Sequence, residues 1–342
     1  MTSGKEPLLQ VRDLVQEFVA RDYGGVKGGV VHAVSGVSFT VWPGETLGIV
    51  GETGSGKSTL ARSVLQAPRP REGTVTFRGT DLVKLRGSRL LQARRHLQMV
   101  FQDPFGSLDP KWKVRDLVAE PLIAYRVGDR AARLHRVDQV LELVGLDPAA
   151  HGARRPRELS GGQAQRVAIA RALAIEPAMI ICDEPVSSLD VLIQAQVLNL
   201  FEQLRAELQL SYLFIAHDLA LVKQVSDRVA VMYLGKLCEV GPGEAVYRQP
   251  LHPYTKALLD SVPGAANAKA TKTIRGEPPS PVHPPSGCRF RTRCPRAEQR
   301  CADEEPAMRE LAAGHSVACH FPLVPAADSQ ARSEEIIGEI PR

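Results

Sequence analysis

The sequence has 342 residues, of which 44% are hydrophobic and 24% are charged, and its formal net charge is +5. This length suffices for one large domain with an appendage or for two domains, and the composition excludes wholesale disorder and a fibrous protein. The positive charge is spread along the chain, so it permits an anionic partner without requiring a nucleic acid.

Residues 1–12 are too polar for a signal peptide, and no stretch reaches the roughly 18 consecutive apolar residues of a membrane-spanning helix. We therefore expect the chain to stay in the cytoplasm and to contact any membrane through another protein. Of the six cysteines, four crowd the last fifth of the chain. In a reducing compartment such a cluster favours a metal over disulfides.

Strands and helices alternate along the first two thirds of the chain. Short, β-branched runs bounded by Gly or Pro predict strands at residues 8–12, 37–41 and 46–50. Helical periodicity predicts helices at residues 57–66, 131–144, 161–174 and 191–209. Apolar runs between them predict further strands at residues 98–101, 178–182 and 211–216. This alternation predicts a mostly parallel sheet covered by helices.

A phosphate-binding loop (P-loop) is predicted between the strand at 46–50 and the helix that begins near Lys57. Its residues are Gly51, Glu52, Thr53, Gly54, Ser55, Gly56, Lys57, Ser58 and Thr59. The glycines let backbone N–H groups turn inward around the β-phosphate, and the helix N-terminus adds partial positive charge. Lys57 then reaches the β- and γ-phosphates, and the hydroxyl of Ser58 is placed to bind Mg²⁺.

A pair of acids follows the apolar strand candidate that ends at Cys182. Asp183 and Glu184 fall at the C-terminal end of that strand, where ligands bind in open α/β sheets. Asp183 is predicted to hold the Mg²⁺ shell. Glu184 is predicted to orient or deprotonate the attacking water.

A second anion-binding helix start is predicted at Leu159, Ser160, Gly161, Gly162 and Gln163. Ser160 can cap this helix, and the glycines leave backbone N–H groups bare. One chain then carries two phosphate cradles but a single acid pair. This makes sense if two subunits pair head to tail, each completing the ATP site of the other.

Together these motifs resemble those of the ABC-transporter ATPase family over residues 8 to about 250. The chain also matches the glutamine, aspartate and histidine positions of that family, in the same order, with Gln102, Asp190 and His217. The resemblance implies an α/β fold with an ABC-type P-loop ATPase domain, a mostly parallel sheet and an inserted helical subdomain at about 103–163. It also implies ATP and Mg²⁺ as cofactors and hydrolysis by a head-to-tail dimer.

The resemblance assigns a role to each of these residues. Gln102 contacts Mg²⁺ or the lytic water and reports ATP to the membrane partner. His217 contacts the γ-phosphate and holds Glu184 and the water in register. Asp190 lies in a loop that crosses the dimer interface, and it can also cap the helix that follows.

The aromatic side chain that stacks on adenine in this family is harder to assign. The stretch of residues 18–31 looks like an insertion near the position where the aromatic residue is expected. Phe18 is predicted for this role, with Tyr23 as the alternative.

Two further stretches, residues 98–121 and 247–319, resemble the ATP-binding subunits of oligopeptide and dipeptide importers. The resemblance implies peptide import, although close relatives carry nickel and other small solutes. The implied partners are a second ATPase subunit, taken to be a different chain, two transmembrane permease subunits and an extracellular peptide-binding protein. The chain would lie on the cytoplasmic face of the membrane, with a cleft for the permease near residues 105–118, and no direct contact with nucleic acid is expected.

Composition divides the chain into four parts. The ATPase domain is predicted over residues 1–260, a proline-rich linker over 261–287, a four-cysteine module over 288–322 and a flexible tail over 323–342. The linker is assigned because small, polar and proline residues replace the alternating apolar pattern there.

The cysteines of the predicted module are Cys288, Cys294, Cys301 and Cys319. Their spacing lacks the paired knuckles of structural zinc, yet four thiolates can hold either Zn²⁺ or an iron–sulfur cluster. The subfamily resemblance implies a [4Fe-4S] cluster, with zinc and unligated thiols as alternatives. The interleaved arginines are interpreted as a solvated surface that offsets thiolate charge; they are Arg289, Arg291, Arg293, Arg296 and Arg300.

The main alternative is a soluble ABC ATPase of DNA repair or translation, with the basic cysteine module touching nucleic acid. Such proteins carry two cassettes in one chain or a long coiled coil, whereas this sequence has one cassette and no sustained heptads. An exporter component is disfavoured by the importer resemblance and by the lack of a fused membrane domain.

Overall fold

A computed structural model describes residues 6–19, 29–261 and 276–323. Within these ranges the strands, in chain order, are β1 (Leu9–Val19), β2 (Val30–Val41), β3 (Thr46–Val50), β4 (Glu72–Phe77), β5 (Thr80–Asp81), β6 (Leu97–Val100), β7 (Met179–Asp183), β8 (Ser211–Ala216), β9 (Arg228–Tyr233), β10 (Lys236–Pro242), β11 (Arg309–Ala312) and β12 (His315–Val317). The helices are α1 (Lys57–Val64), α2 (Gly87–Arg95), α3 (Pro104–Ser107), α4 (Val114–Ala124), α5 (Arg130–Leu143), α6 (Pro148–His151), α7 (Gly161–Leu173), α8 (Val191–Leu208), α9 (Leu219–Val225), α10 (Gly243–Arg248), α11 (Pro253–Asp260) and α12 (Arg300–Asp303). None of these described helices has the length and apolar character needed to span a bilayer.

The larger sheet has eight strands in the order β11-β12-β10-β9-β3-β8-β7-β6. From β9 to β6 neighbouring strands pair in parallel, whereas β10, β12 and β11 continue the sheet with antiparallel pairs. Every residue of β3, β7 and β8 is buried, as expected for parallel strands covered on both faces. The predicted sheet of mostly parallel strands under helices is confirmed, and the antiparallel continuation is an addition to it.

The smaller sheet is antiparallel, with strand order β2-β1-β4-β5. β1 and β2 form a hairpin in which Leu9 pairs with Val41 and Val19 pairs with Val30. The stretch at 18–31 therefore includes the ends of both strands of the hairpin, whereas Tyr23 lies outside the described residues. α1 packs against strands of both sheets, so a single apolar core joins them.

A layer of helices follows β6 along the chain. α4, α5 and α7 pack on one another and bury Val118, Val140 and Val167 in a second core, which also includes residues of β7 and β8. The described helices from α3 to the start of α7 occupy the stretch in which a helical subdomain is predicted. α7 runs beyond it and contacts β6, so it connects this layer to the large sheet.

The C-terminal segment continues the large sheet instead of standing apart from it. Glu239 of β10 pairs with Val317 of β12, and β11 pairs with β12. The described part of the proline-rich stretch also contacts the body, since His32 N donates to Pro281 O at 3.0 Å. The division at residues 261–287 stays a prediction, and the described residues on its two sides contact one another.

Candidate nucleotide-binding site

The P-loop connects the buried strand β3 to α1. Gly56 caps α1 with a φ of +102°, and a Cβ atom there would lie 2.0 Å from the carbonyl oxygen of Ala33. Only glycine fits this left-handed and crowded position. The turn leaves backbone N–H groups at the N-terminus of α1, the arrangement that binds phosphate groups.

Lys57 begins α1, and its ammonium group folds back over the loop. Its Nζ donates to the carbonyl oxygens of Gly51 at 2.7 Å and of Glu52 at 3.0 Å. Burial lowers the pKa of Lys57, and the negative charges of Glu184, Asp183 and Glu52 act in the opposite direction. A buried cation therefore lies beside the loop. A bound phosphate would replace the two carbonyl oxygens as the acceptor of the hydrogen bonds from Lys57.

Ser58 and Asp183 meet beside the loop. The Oγ of Ser58 donates to Oδ1 of Asp183 at 2.8 Å, and Asp183 is buried at the end of β7. Burial raises the pKa of Asp183, while the bond from Ser58 acts to lower it. A hydroxyl and a carboxylate oxygen are hard ligands of the kind that Mg²⁺ prefers, so these two residues fit such an ion.

Three predicted catalytic residues come together around one carboxylate. Gln102 Nε2 donates to Oε2 of Glu184 at 3.1 Å, and Nδ1 of His217 lies 3.4 Å from the same oxygen. Glu184 has a φ of +48°, an uncommon conformation for a non-glycine residue, and its backbone N donates to Ile215 O at 2.9 Å. Such a conformation persists when the surroundings impose it, and it is frequent at active sites.

The predicted second phosphate cradle forms the start of α7. Ser160 is the N-cap: its Oγ accepts from Gln163 N at 3.3 Å, and Oε1 of Gln163 accepts from Ser160 N at 3.0 Å. This reciprocal pair is a capping box. A Cβ atom on Gly162 would lie 2.6 Å from Ile193 of α8, so the two helices approach closely here. Among the described residues no hydrogen bond joins Ser160 or Gln163 to the P-loop.

Asp190 and Phe18 lie on other parts of the surface. Asp190 caps α8, because its Oδ1 accepts from Ile193 N at 3.0 Å. Phe18 pairs with Val31 near the end of the first hairpin and exposes 41% of its surface. Their roles at the dimer interface and at adenine stay predictions.

Glu52 of the P-loop has partners that sequence reasoning missed. Arg293 NH1 donates to Oε2 of Glu52 at 2.6 Å and NH2 donates to Oε1 at 3.0 Å, while the backbone N of Glu52 donates to Oη of Tyr254 at 2.9 Å. The acid at position 52 of the P-loop could have indicated such a partner from sequence alone. A carboxylate beside a phosphate site needs a cation, and the interleaved arginines supply one.

The interpretation of these arginines as a solvated surface is wrong for two of them. Only 5% of the side chain of Arg293 is exposed. Arg289 donates to the carbonyl oxygen of Leu234, in the turn between β9 and β10. Both guanidinium groups face the body of the protein, because the segment that carries them packs on Tyr233 and Tyr254 through Phe290.

The four C-terminal cysteines line one small cavity together with Phe290 and Phe321. None of the four forms a disulfide. Burial raises the pKa of the thiols of Cys288 and Cys294, and it raises that of Cys319 to about 11. Within the described ranges, no group of three or more His, Cys, Asp or Glu side chains is arranged to hold a metal ion.

A groove of about 500 Å³ lies between the large sheet and the helical layer. Its lining is mostly apolar and includes Leu91, Phe101 and Tyr125, with the charges of Glu120 and Arg171 beside them. The predicted cleft near residues 105–118 overlaps this groove only in part, because α2 and β6 contribute much of the wall.

Two family models match successive parts of the chain. The family model described as ABC transporter matches residues 34–187. The model described as oligopeptide/dipeptide transporter, C-terminal region, matches residues 238–301. The second match extends across the described part of the proline-rich stretch and includes Cys288, Cys294 and Cys301.

Curated relatives match over nearly their whole length. A putative oligopeptide transport ATP-binding protein of Bacillus subtilis, YkfD, is 49% identical over 320 residues, covering 92% of this chain and 95% of that protein. AppF of the same organism is 48% identical over 327 residues, covering 93% and 98%. OppF of Escherichia coli, an oligopeptide transport ATP-binding protein, is 46% identical over 327 residues, covering 93% and 97%.

Solved structures share the fold. The ATP-binding cassette MJ0796, described as a dimeric post-hydrolysis state bound to ADP and Pi, is 27% identical with a TM-score of 0.60, covering 68% of this chain and 98% of that chain. CbiO1 of Clostridium perfringens, described as part of the ABC transporter complex CbiONQ, is 26% identical with a TM-score of 0.61, covering 72% and 92%.

Proposed function

The chain belongs to the ABC transporter family, and we propose that it binds and hydrolyses ATP to power import of oligopeptides or dipeptides. The observation that carries the ATPase activity is the convergence of Gln102, Glu184 and His217 beside Lys57 of the P-loop. The peptide substrate is supported by the match of residues 238–301 to the oligopeptide/dipeptide C-terminal region and by the names of the curated relatives.

The proposed chemistry follows from where the charges lie. Lys57 and the N-terminus of α1 offset the negative charge of the transferring γ-phosphoryl group. Glu184 orients the attacking water and accepts its proton, while Gln102 and His217 hold the carboxylate in place. When bound, Mg²⁺ neutralises charge on the phosphate oxygens; Ser58, Asp183 and Gln102 are the residues that would hold it.

Head-to-tail dimerisation is part of the proposal. The start of α7 offers backbone N–H groups, and the sequence supplies no second acid pair for a phosphate bound there. Val191 and Leu192, directly after Asp190, expose 82% and 70% of their surfaces, which suits a face covered by a second subunit. The dimeric state of the cassette MJ0796, with ADP and Pi bound, gives further support.

The apolar groove is the proposed binding site for a membrane partner. A permease subunit would insert a short helix against Leu91, Phe101 and Tyr125, because an amphipathic helix buries its apolar face in such grooves. Two permease subunits, a second ATPase of different sequence and an extracellular peptide-binding protein would complete the importer. The chain would then lie peripherally on the cytoplasmic face of the membrane.

Purification of the tagged chain from its own host in mild detergent tests the importer. We expect two multi-span permeases, a second ABC ATPase and a solute-binding protein among the co-purified proteins, and ATP turnover by the assembly that rises with added peptide. Recovery of the chain alone, or with nucleic acid or ribosomes after effective detergent extraction, would contradict the importer and favour a soluble ABC ATPase.

We further propose that Cys288, Cys294, Cys301 and Cys319 hold a [4Fe-4S] cluster, with Zn²⁺ as the alternative. All four line one cavity, and thiols with raised pKa values need a bound cation to stay as thiolates at neutral pH. The spacing of these cysteines lacks the paired knuckles of structural zinc, which favours the cluster.

Metal analysis of the anaerobically purified chain tests this site. Iron and sulfide at about four atoms each per chain, with broad visible absorption, are the expected results. Cys294→Ser should lose the iron, whereas Cys182→Ala, which alters a buried cysteine of β7 outside the cavity, should keep it. Zinc without iron would establish the alternative, and neither metal would leave the thiols unligated.

A further inference from the structure

Glu52 creates an electrostatic problem inside the P-loop. It carries a carboxylate in the loop that would hold the phosphates of ATP, and its charge acts on Lys57. An anion at this place repels the phosphates and competes with them for the lysine. A positive charge from another part of the protein that offsets Glu52 would therefore favour ATP binding.

Arg293 supplies that offset from a point 241 residues further along the chain. Its guanidinium makes a two-pronged pair with both carboxylate oxygens of Glu52 at 2.6 and 3.0 Å, and NH1 also donates to Oη of Tyr233 at 3.3 Å. The side chain of Arg293 is 5% exposed and that of Glu52 is 25% exposed. Solvent therefore screens this pair less than it screens an ordinary surface ion pair.

Residues that contact this C-terminal segment also support the P-loop. Tyr254 of α11 accepts the backbone N–H of Glu52, and its ring packs against Phe290. Arg289 bonds to the carbonyl oxygen of Leu234, and the next residue, Gly235, donates its backbone N–H to Ser55 O of the P-loop at 2.8 Å. Side-chain and backbone contacts thus join the cysteine-rich segment to the P-loop.

The cysteine-rich segment is in turn fastened to the body. Arg293 directly precedes Cys294, and its backbone N donates to Phe290 O at 3.0 Å. The strand β12 pairs with β10, where the buried carboxylate of Glu239 lies 2.7 Å from Nε2 of His315. Arg293 is therefore held in its position by the packing of the whole segment and not by Glu52 alone.

We propose that Arg293 is a positioning residue for ATP: it neutralises the carboxylate of Glu52, so that the P-loop can accept phosphate groups beside it. The C-terminal segment is then part of the ATP site, although none of its residues belongs to an ABC motif. This inference rests on the proposed ATPase function. Arg293 would thereby allow the P-loop to bind phosphate groups although its second residue, Glu52, is an acid.

Four variants of the full-length chain separate the charge from the packing. Arg293→Gln removes the charge and keeps a hydrogen-bonding side chain; we expect the Kd for MgATP to rise about tenfold, or about 1.4 kcal/mol. Glu52→Gln removes the repulsive charge, so ATP should bind at least as tightly as to the wild type. The double variant Arg293→Gln with Glu52→Gln should return the Kd to within about threefold of wild type, and Arg293→Lys should do the same.

The matched control is Arg300→Gln, because Arg300 pairs with Glu304 on the surface of the same segment. It should leave the Kd unchanged. Thermal unfolding of each variant shows which are folded. Should Arg293→Gln fail to fold, the double variant, which removes both charges of the pair with Glu52, still tests the proposal through its own Kd.

Each outcome bears on one claim. Wild-type binding by Arg293→Gln, a weakened Glu52→Gln, or a folded double variant that still binds ATP about tenfold more weakly would overturn the positioning role. Failure of the wild-type chain itself to bind MgATP would instead contradict the proposed ATPase function. A rise in KM with little change in kcat for Arg293→Gln is the expected kinetic counterpart, since Arg293 does not touch the reacting atoms.

Discussion

The hydroxyl of Ser58 lies 2.8 Å from the carboxylate of Asp183, although 125 residues separate them along the chain. Ser58 follows β3 and Asp183 ends β7, and these two strands flank β8 in the large sheet. Both residues lie near the C-terminal ends of parallel strands, which is where such sheets form their ligand sites. This contact brings the P-loop and the acid pair into one site.

Ser58→Ala should raise the Mg²⁺ concentration needed for half-maximal ATPase activity by about tenfold, because it removes one hard oxygen ligand. Steady-state hydrolysis measured across a Mg²⁺ titration checks this. Ser63→Ala is the matched control, since Ser63 lies on the same helix and its buried Oγ has no hydrogen-bond partner among the described residues. An unchanged Mg²⁺ requirement in Ser58→Ala would remove Ser58 from the proposed metal site.

Glu184→Gln should keep ATP binding and lose turnover by about 100-fold or more, because glutamine cannot accept the proton of the attacking water. Nucleotide binding and single-turnover hydrolysis, measured on the same preparation, separate the two effects. Glu176→Gln changes an exposed carboxylate and should behave as wild type. Normal turnover in Glu184→Gln would refute the assignment of this residue as the base.

Ser160→Ala should leave ATP binding by the single chain unchanged and reduce turnover of the dimer. Loss of this N-cap costs about 1 kcal/mol and loosens the start of α7, where the proposed second subunit contacts the phosphate. Asp129→Ala removes a comparable cap from α5 and should cost similar stability without reducing turnover. Equal turnover in both variants would show that the start of α7 contributes only stability.

Leu91→Arg should prevent assembly with the permease while basal ATP hydrolysis continues. Leu91 lines the apolar groove and exposes 42% of its surface, so arginine there should change stability by no more than about 0.5 kcal/mol. Leu134→Arg alters an equally exposed leucine of α5 that does not line this groove. Co-purification with the permease distinguishes them, and assembly of both would exclude the groove as the docking site.

His252→Asn should flatten the acid side of the stability profile. Burial lowers the pKa of His252 to about 4, with Glu239 opposing the shift, whereas an unfolded histidine titrates near 6.5. Between these values only the unfolded chain binds the proton, so the free energy of unfolding falls as pH falls, by about 2 kcal/mol from pH 7.5 to 5. Asparagine can still accept the N–H of Tyr254 that His252 Nδ1 accepts.

Urea unfolding at the two pH values measures the difference between wild type and His252→Asn. His135→Asn, an exposed histidine of α5, provides the control and should follow the wild-type profile. If the wild type and His252→Asn lost the same free energy between pH 7.5 and 5, His252 would not be a source of the acid sensitivity.

Local sequence predicted the P-loop, the acid pair and the capped helix at Ser160, because their conformations depend on residues within a few positions of one another. The glycines set the turn before Lys57, and Ser160 with Gln163 forms a capping box within four residues. The four apolar residues before Asp183, Met179–Cys182, predicted β7 for the same reason. The alternation of strand and helix patterns predicted the main sheet, and the order of the motifs indicated the family resemblance.

Tertiary structure alone decided the contacts between distant segments. Composition set the C-terminal segment apart and suggested solvated arginines, yet Arg293 is buried against Glu52 because β12 pairs with β10 and carries that segment onto the P-loop. The first hairpin likewise could not be read from the stretch after Phe18, since its register depends on pairing with β2. Pairing between remote strands depends on the summed burial of both partners, and no local pattern contains that information.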